Sequence, residues 1–75
     1  MKINNELFRF IRLSRRITQR DFAKMIGISH GMVSHIETNI KPISDRVNRL
    51  VIDALELSDE EIKKYYELLN LTNAR

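Results

Sequence analysis

Between Ile28 and Glu37 the chain gathers small polar groups with wide chemical range: Ser29, His30, Gly31, Ser34 and His35, with Met32, Val33 and Ile36 between them. A histidine ring can donate, accept, carry a proton near neutral pH or bind a metal, and a serine hydroxyl both donates and accepts. Spacing narrows these options. His30 and His35 are five apart and lie about 140° from each other around a helix, which is poor geometry for a shared metal. No Cys exists to supply a thiolate ligand or nucleophile. Catalysis also lacks a constellation: there is no glycine-rich phosphate loop, no activated nucleophile and no carboxylate pair on an apolar site. Glu60 and Glu61 read as acids at a helix start. The expectation is no enzyme, no metal and no cofactor, and a polar helix face that is either simply solvated or turned to a partner.

A chain of 75 residues and 8.9 kDa has room for one domain, because it buries only roughly 60–65% of the surface its unfolded form exposes. Hydrophobic residues at 43% and charged ones at 31% are enough for a globular core and too many for a disordered chain. Without disulfides, stability must come from helix packing or from association between copies, and a reducing cytoplasm is the natural setting. The longest strongly apolar run, Leu50-Val51-Ile52, is far below the ~20 residues of a membrane span. Arg9 and Arg12 interrupt the Leu7–Leu13 stretch that would otherwise suggest a leader. The reading is therefore an intracellular chain with no membrane segment.

Charge is uneven. Eight basic residues stand against three acidic ones up to Lys41, and five basic against seven acidic beyond it. Such a division suits one face for a polyanion and another for solubility or protein contact.

The elements that must position these groups read as five helices. One Pro, two Gly and no sustained apolar–polar alternation leave little for strands, so the fold class is all-α. A first helix starts near Asn4 or Asn5 and carries Leu7, Phe8, Phe10, Ile11 and Leu13. Thr18-Gln19-Arg20-Asp21 forms a capping box, with Ile17 and Phe22 as its hydrophobic staple. Phe22, Met25 and Ile26 follow at helical spacing, and Gly27 ends this second helix in the left-handed conformation. Ser29 caps a third helix, with Ile28 and Val33 as staple and Val33 and Ile36 as a narrow apolar stripe. Ser44 caps a fourth bearing Val47, Leu50, Val51, Ala54 and Leu55. Ser58-Asp59-Glu60-Glu61 opens a fifth over about 58–70, where Ile62, Tyr65, Tyr66 and Leu69 share a face. Phe8, Phe22, Ile11 and Leu50 are expected in the core.

The run from Ile17 to Glu37, with Thr18-Gln19, Ala23, Gly27, Ser29, Val33, Ser34 and Ile36-Glu37 at their offsets, resembles the helix-turn-helix of the phage repressor and Cro family, also called the xenobiotic-response-element family. The resemblance spans roughly Phe8 to Leu57. It implies a single five-helix repressor-like domain over residues 1–75, with the motif at about 18–37 formed by helices 2 and 3. It further implies a recognition helix from Ser29 to Glu37 whose His30, Gly31, Ser34 and His35 lie nearest base edges in a major groove. Gln19, Arg20, Met32, Thr38, Asn39 and Lys41 would contact the DNA backbone, although Met32 could equally pack onto the domain. Arg12 and Glu37 stand where the family often forms a partly buried ion pair. There are three departures. Asn39 replaces a loop Gly, Arg16 stands where a Gly often ends the first helix, and Pro42-Ile43-Ser44 reverses the common order of Pro directly before Ser.

The function so implied is a sequence-specific double-stranded DNA-binding transcriptional regulator, a repressor binding an inverted repeat as a dimer in the cytoplasm of a bacterial or phage-infected cell. Two alternatives stand beside it: an antitoxin that binds operator DNA and holds a toxin through the acidic carboxyl-terminal half, and a protein-interaction adaptor built on the same fold. Phe10, Leu13, Tyr65, Tyr66 and Leu69 are an apolar surplus, either extra core or the contact between two copies.

Overall fold

Helices begin in this chain where a short polar side chain replaces a missing acceptor. The computed structural model, which describes residues 1–73, has Asn4, Thr18, Ser29 and Ser44 each accepting from the backbone N–H three residues on, at 2.8–3.1 Å. The helices they open are α1 (Asn5–Ser14), α2 (Gln19–Ile26), α3 (His30–Glu37) and α4 (Asp45–Leu55). The fifth, α5 (Asp59–Asn73), starts with a reciprocal box: Ser58 Oγ accepts from the Glu61 N–H while Glu61 Oε1 accepts from the Ser58 N–H at 3.2 Å. Among the described residues there is no strand. The fifth helix runs a turn beyond the span expected from sequence. The box at Thr18 is only half formed, since Asp21 does not reach back.

Helix ends share one device. Arg16, Gly27, Asn39 and Glu56 all have positive φ, and the apolar residue after each sends its N–H back five residues: Ile17 to Arg12, Ile28 to Ala23, Ile40 to His35 and Leu57 to Ile52, at 2.8–3.2 Å. This is the Schellman closure, in which a left-handed residue lets the chain turn sharply and an apolar follower packs back. Gly27 and Asn39 tolerate that conformation well. Arg16 and Glu56 do not, so Arg16, standing where a Gly often ends the first helix, takes the glycine's left-handed conformation at the cost of some strain. Ile17, Ile28 and Leu57 pack against the core, whereas Ile40 stays exposed.

The core forms where α1 lies against α3 and α5, and α2 against α3 and α4. Phe8 and Phe22 meet edge to face at 5.1 Å, and Leu7, Ile11, Val33, Ile36, Val51 and Ile62 are fully buried around them. Segments outside the helices complete it. Ile3 is fully buried, and its N–H donates to Asn48 Oδ1 at 2.8 Å.

Several sequence expectations need correction. Leu69 is buried, the first of the two placements left open for it: it packs in the core of one molecule. Tyr66 is half-buried and serves the chain's own beginning: its hydroxyl donates to Lys2 O at 2.8 Å and accepts from the Asn4 N–H at 3.0 Å. Leu50 only borders the core, Met25 is exposed and so is Ala54, because each lies at the edge of its helix's apolar stripe.

Candidate nucleic-acid interface

The third helix buries Val33 and Ile36 completely and leaves His30, Gly31 and His35 exposed, with Ser34 half-buried. Nothing in the fold requires the glycine. A Cβ added to Gly31 would meet only Ser29 Oγ at 4.0 Å, so the smooth spot is a property of the outer face.

Behind this face lies a buried polar network. Arg12 donates from Nε to Glu37 Oε2 at 2.7 Å and from Nη2 to Glu37 Oε1 at 2.8 Å. Its Nη1 donates to Ile17 O at 2.8 Å, which clamps the turn that contains strained Arg16. The Glu37 side chain is 2% exposed, and two charges so far out of water persist only when each is paired and hydrogen-bonded. Gln19 Nε2 also donates to Glu37 Oε1, at 3.1 Å, and Arg9 Nε approaches the same oxygen at 3.9 Å. Gln19 Oε1 in turn lies 3.3 Å from His30 Nε2. The first residues of α2 and α3 are thereby tied to each other and to α1. Among the described residues no buried side-chain nitrogen or oxygen lacks a partner.

The remaining residues expected at the DNA backbone are placed unequally. Arg20 and Lys41 are exposed cations. Thr38 gives its hydroxyl proton to Ser34 O at 2.9 Å, so that group closes α3 and is not a free donor. Asn39 accepts through Oδ1 from Asn5 Nδ2 at 3.1 Å, which leaves its amide N–H groups outward. Met32 is half-buried against the core, the second of its two expected placements. Gln19 keeps one amide N–H beyond its bond to Glu37.

Sequence reasoning missed Asn5 and Arg9. Asn5 Nδ2 donates to Asn39 Oδ1 and to Lys41 O, while Asn5 Oδ1 accepts from the Ile43 N–H, at 2.7–3.1 Å. One side chain at the start of α1 thus fixes the loop after α3. Only its amide character hinted at this, and the sequence reads it as a helix start.

This geometry is two helices crossing over a three-residue turn, one anchored by apolar residues and open on its polar side. Comparison with protein families matches residues 8–62 to the helix-turn-helix family. The chain belongs to the helix-turn-helix family of the phage repressor and Cro type. It is a DNA-binding helix-turn-helix regulator. No curated protein and no solved structure matches it. In this helix-turn-helix the second helix is α3, and the elements that hold it are α1 and α2. No helix among the described residues is long and apolar enough to cross a membrane.

Proposed function

We propose that this chain is a repressor of transcription that binds an inverted repeat as a dimer inside a bacterial or phage-infected cell. The observation that carries the reading is α3 itself: its apolar stripe is sealed into the core while His30, Gly31, Ser34 and His35 form a polar outer face. Such a helix fits a major groove, where base edges offer donors and acceptors to short polar side chains. Gln19, Arg20, Asn39 and Lys41 flank it with N–H donors suited to phosphate, and these contacts set register without selecting sequence. Occupancy then blocks polymerase, and no covalent step is involved.

The dimer rests on apolar groups that the monomer leaves uncovered. Leu13 is 48% exposed, Leu68 52% and Leu71 72%. Phe10 and Tyr65 meet edge to face at 6.4 Å and link a groove containing Leu13 to one containing Leu68. This replaces the sequence-based set by removing Leu69 and Tyr66. The domain's longest extent is 32 Å, so one copy covers about one helical turn of ~34 Å and two copies suit adjacent half-sites.

Selection of duplexes from a random pool tests the reading. The expected product is a motif of two inverted half-sites, with affinity falling steeply as salt rises. His35→Ala should change preference at one or two base pairs by about 1–3 kcal/mol each. A pool without enrichment, or retention that ignores salt, overturns the reading in favour of an adaptor.

A further inference from the structure

The network behind α3 decides more than the position of His30. A carboxylate only accepts hydrogen bonds. The Gln19 atom 3.1 Å from Glu37 Oε1 must therefore be the amide nitrogen. The other end of that amide, 3.3 Å from His30 Nε2, is then the carbonyl oxygen, which also only accepts. His30 Nε2 must consequently carry a proton. In a neutral imidazole one nitrogen donates and the other accepts, so Nδ1 is left as an acceptor, and among the described residues the ring's one hydrogen bond is that of Nε2. Arg12 anchors the network, because its two bonds to Glu37 hold the carboxylate as an acceptor. Along the chain the groups run 12, 37, 19 and 30, drawn from α1, α3, α2 and α3.

We propose that Glu37, acting through Gln19, fixes His30 as an Nε2–H donor, so that its Nδ1 reads an exocyclic amine, adenine N6 or cytosine N4, in the major groove. This rests on the DNA-reading role assigned to α3 and adds the chemical class of its target. Glu37 and Gln19 are positioning residues: neither touches the base, and both set which ring nitrogen holds the proton. Guanine O6 and purine N7 are acceptors and cannot pair with an unprotonated Nδ1. His35 has no comparable partner among the described residues and serves as the internal control.

Two measurements on the full chain test this. The first is nitrogen-15 NMR of the free protein at alkaline pH, where imidazoles are neutral. His30 should be held as the Nε2–H form, and in Gln19→Ala it should relax to the mixture of forms shown by His35. A proton on His30 Nδ1, or nitrogen shifts that Gln19→Ala leaves unmoved, overturns the relay. The second uses the duplex selected by the wild type and the base pair whose preference is lost in His30→Ala. Removing the exocyclic amine there, with purine for adenine or pyrimidin-2-one for cytosine, should weaken wild-type binding about three- to tenfold, the worth of one hydrogen bond. It should leave His30→Ala unaffected. Replacing the purine by its 7-deaza analogue, which removes only N7, should change nothing. Sensitivity to N7 and not to the amine overturns the proposal while leaving His30 a base reader. A motif identical in His30→Ala and wild type overturns the base-reading role on which the proposal rests.

Discussion

At the corner of α1, α2 and α3 the buried contact is ionic and fully hydrogen-bonded, whereas α5 is fastened by Ile62 and Leu69 beneath it and by two tyrosine hydroxyls at its side. Tyr65 accepts from Arg15 Nε at 3.1 Å, and Tyr66 holds Lys2 and Asn4. The corner gains direction, because a bidentate Arg–carboxylate pair has one good geometry. The apolar attachment of α5 sets no such orientation, and it leaves Leu68 and Leu71 in water. Directional contacts suit a surface that must meet base edges at fixed positions. Apolar surplus suits a surface that can meet a second copy.

The largest test of this contrast is Glu37→Ala. It leaves the Arg12 guanidinium buried without its anion, and stability should fall by about 3–5 kcal/mol, enough to unfold much of a chain this size. Urea denaturation measures it. A loss under 1 kcal/mol would mean that apolar packing alone sets the corner. On the other helix, Leu69→Ala should cost about 2–4 kcal/mol as a core truncation, while Leu68→Asp should stay within about 0.5 kcal/mol of wild type. The Leu68→Asp protein should be monomeric and lose affinity for paired half-sites but not for a single one. Sedimentation and binding to both duplexes separate these outcomes, and an unfolded Leu68→Asp would move that residue to the core.

Gly31→Ala sharpens the contrast within the corner. The fold has open space at this position, so removing a helical glycine should stabilise by roughly 0.5–1 kcal/mol. If α3 approaches a groove closely, the same methyl should weaken duplex binding. A stabilised variant with undiminished binding would place the groove contact elsewhere on α3.

The smallest effect lies where the N-terminal segment meets α4. Lys2 Nζ bonds Asp45 Oδ1 at 2.8 Å, and that hydrogen bond, followed by the lysine's charge, holds the Asp45 carboxyl below its ordinary value. The folded form thus binds fewer protons than the unfolded one between the two values. Its stabilising effect is present above the ordinary aspartate range and disappears as pH falls through the lowered value. Asp45→Asn should therefore flatten the acid limb of the stability curve slightly and leave neutral-pH duplex binding unchanged. An unchanged acid limb would show that the exposed pair contributes nothing, as is common for surface ion pairs.

Helix starts, the Gly27 turn and the stripes of α2 and α3 are legible in the sequence because each depends on residues within four positions of one another. Ser29 caps α3 through Met32, and Thr18 caps α2 through Asp21. The ends of α1 and α4 are harder to read. Arg16 and Glu56 carry no mark in their residue type of the left-handed conformation that they adopt; at Arg16 a contact reaching across the turn, Arg12 on Ile17 O, supports it. The Arg12–Glu37 pair became visible through family resemblance and not through spacing, for its members stand 25 residues apart.

The sequence by itself determined five helices, their order and a helix-turn-helix with a polar outer face. These follow from capping, periodicity and glycine placement, which are local. Tertiary structure alone decided that Leu69 turns inward while Leu68 and Leu71 do not, that Ile3 seals the core, that Asn5 pins the loop after α3, and that Gln19 links Glu37 to His30. The two amide contacts depend on which side chains separate helices and loops bring within about 3 Å, the range at which hydrogen bonds form, and the two burials on which apolar side chains meet in the core. Helical periodicity specifies a face but not the neighbour that covers it.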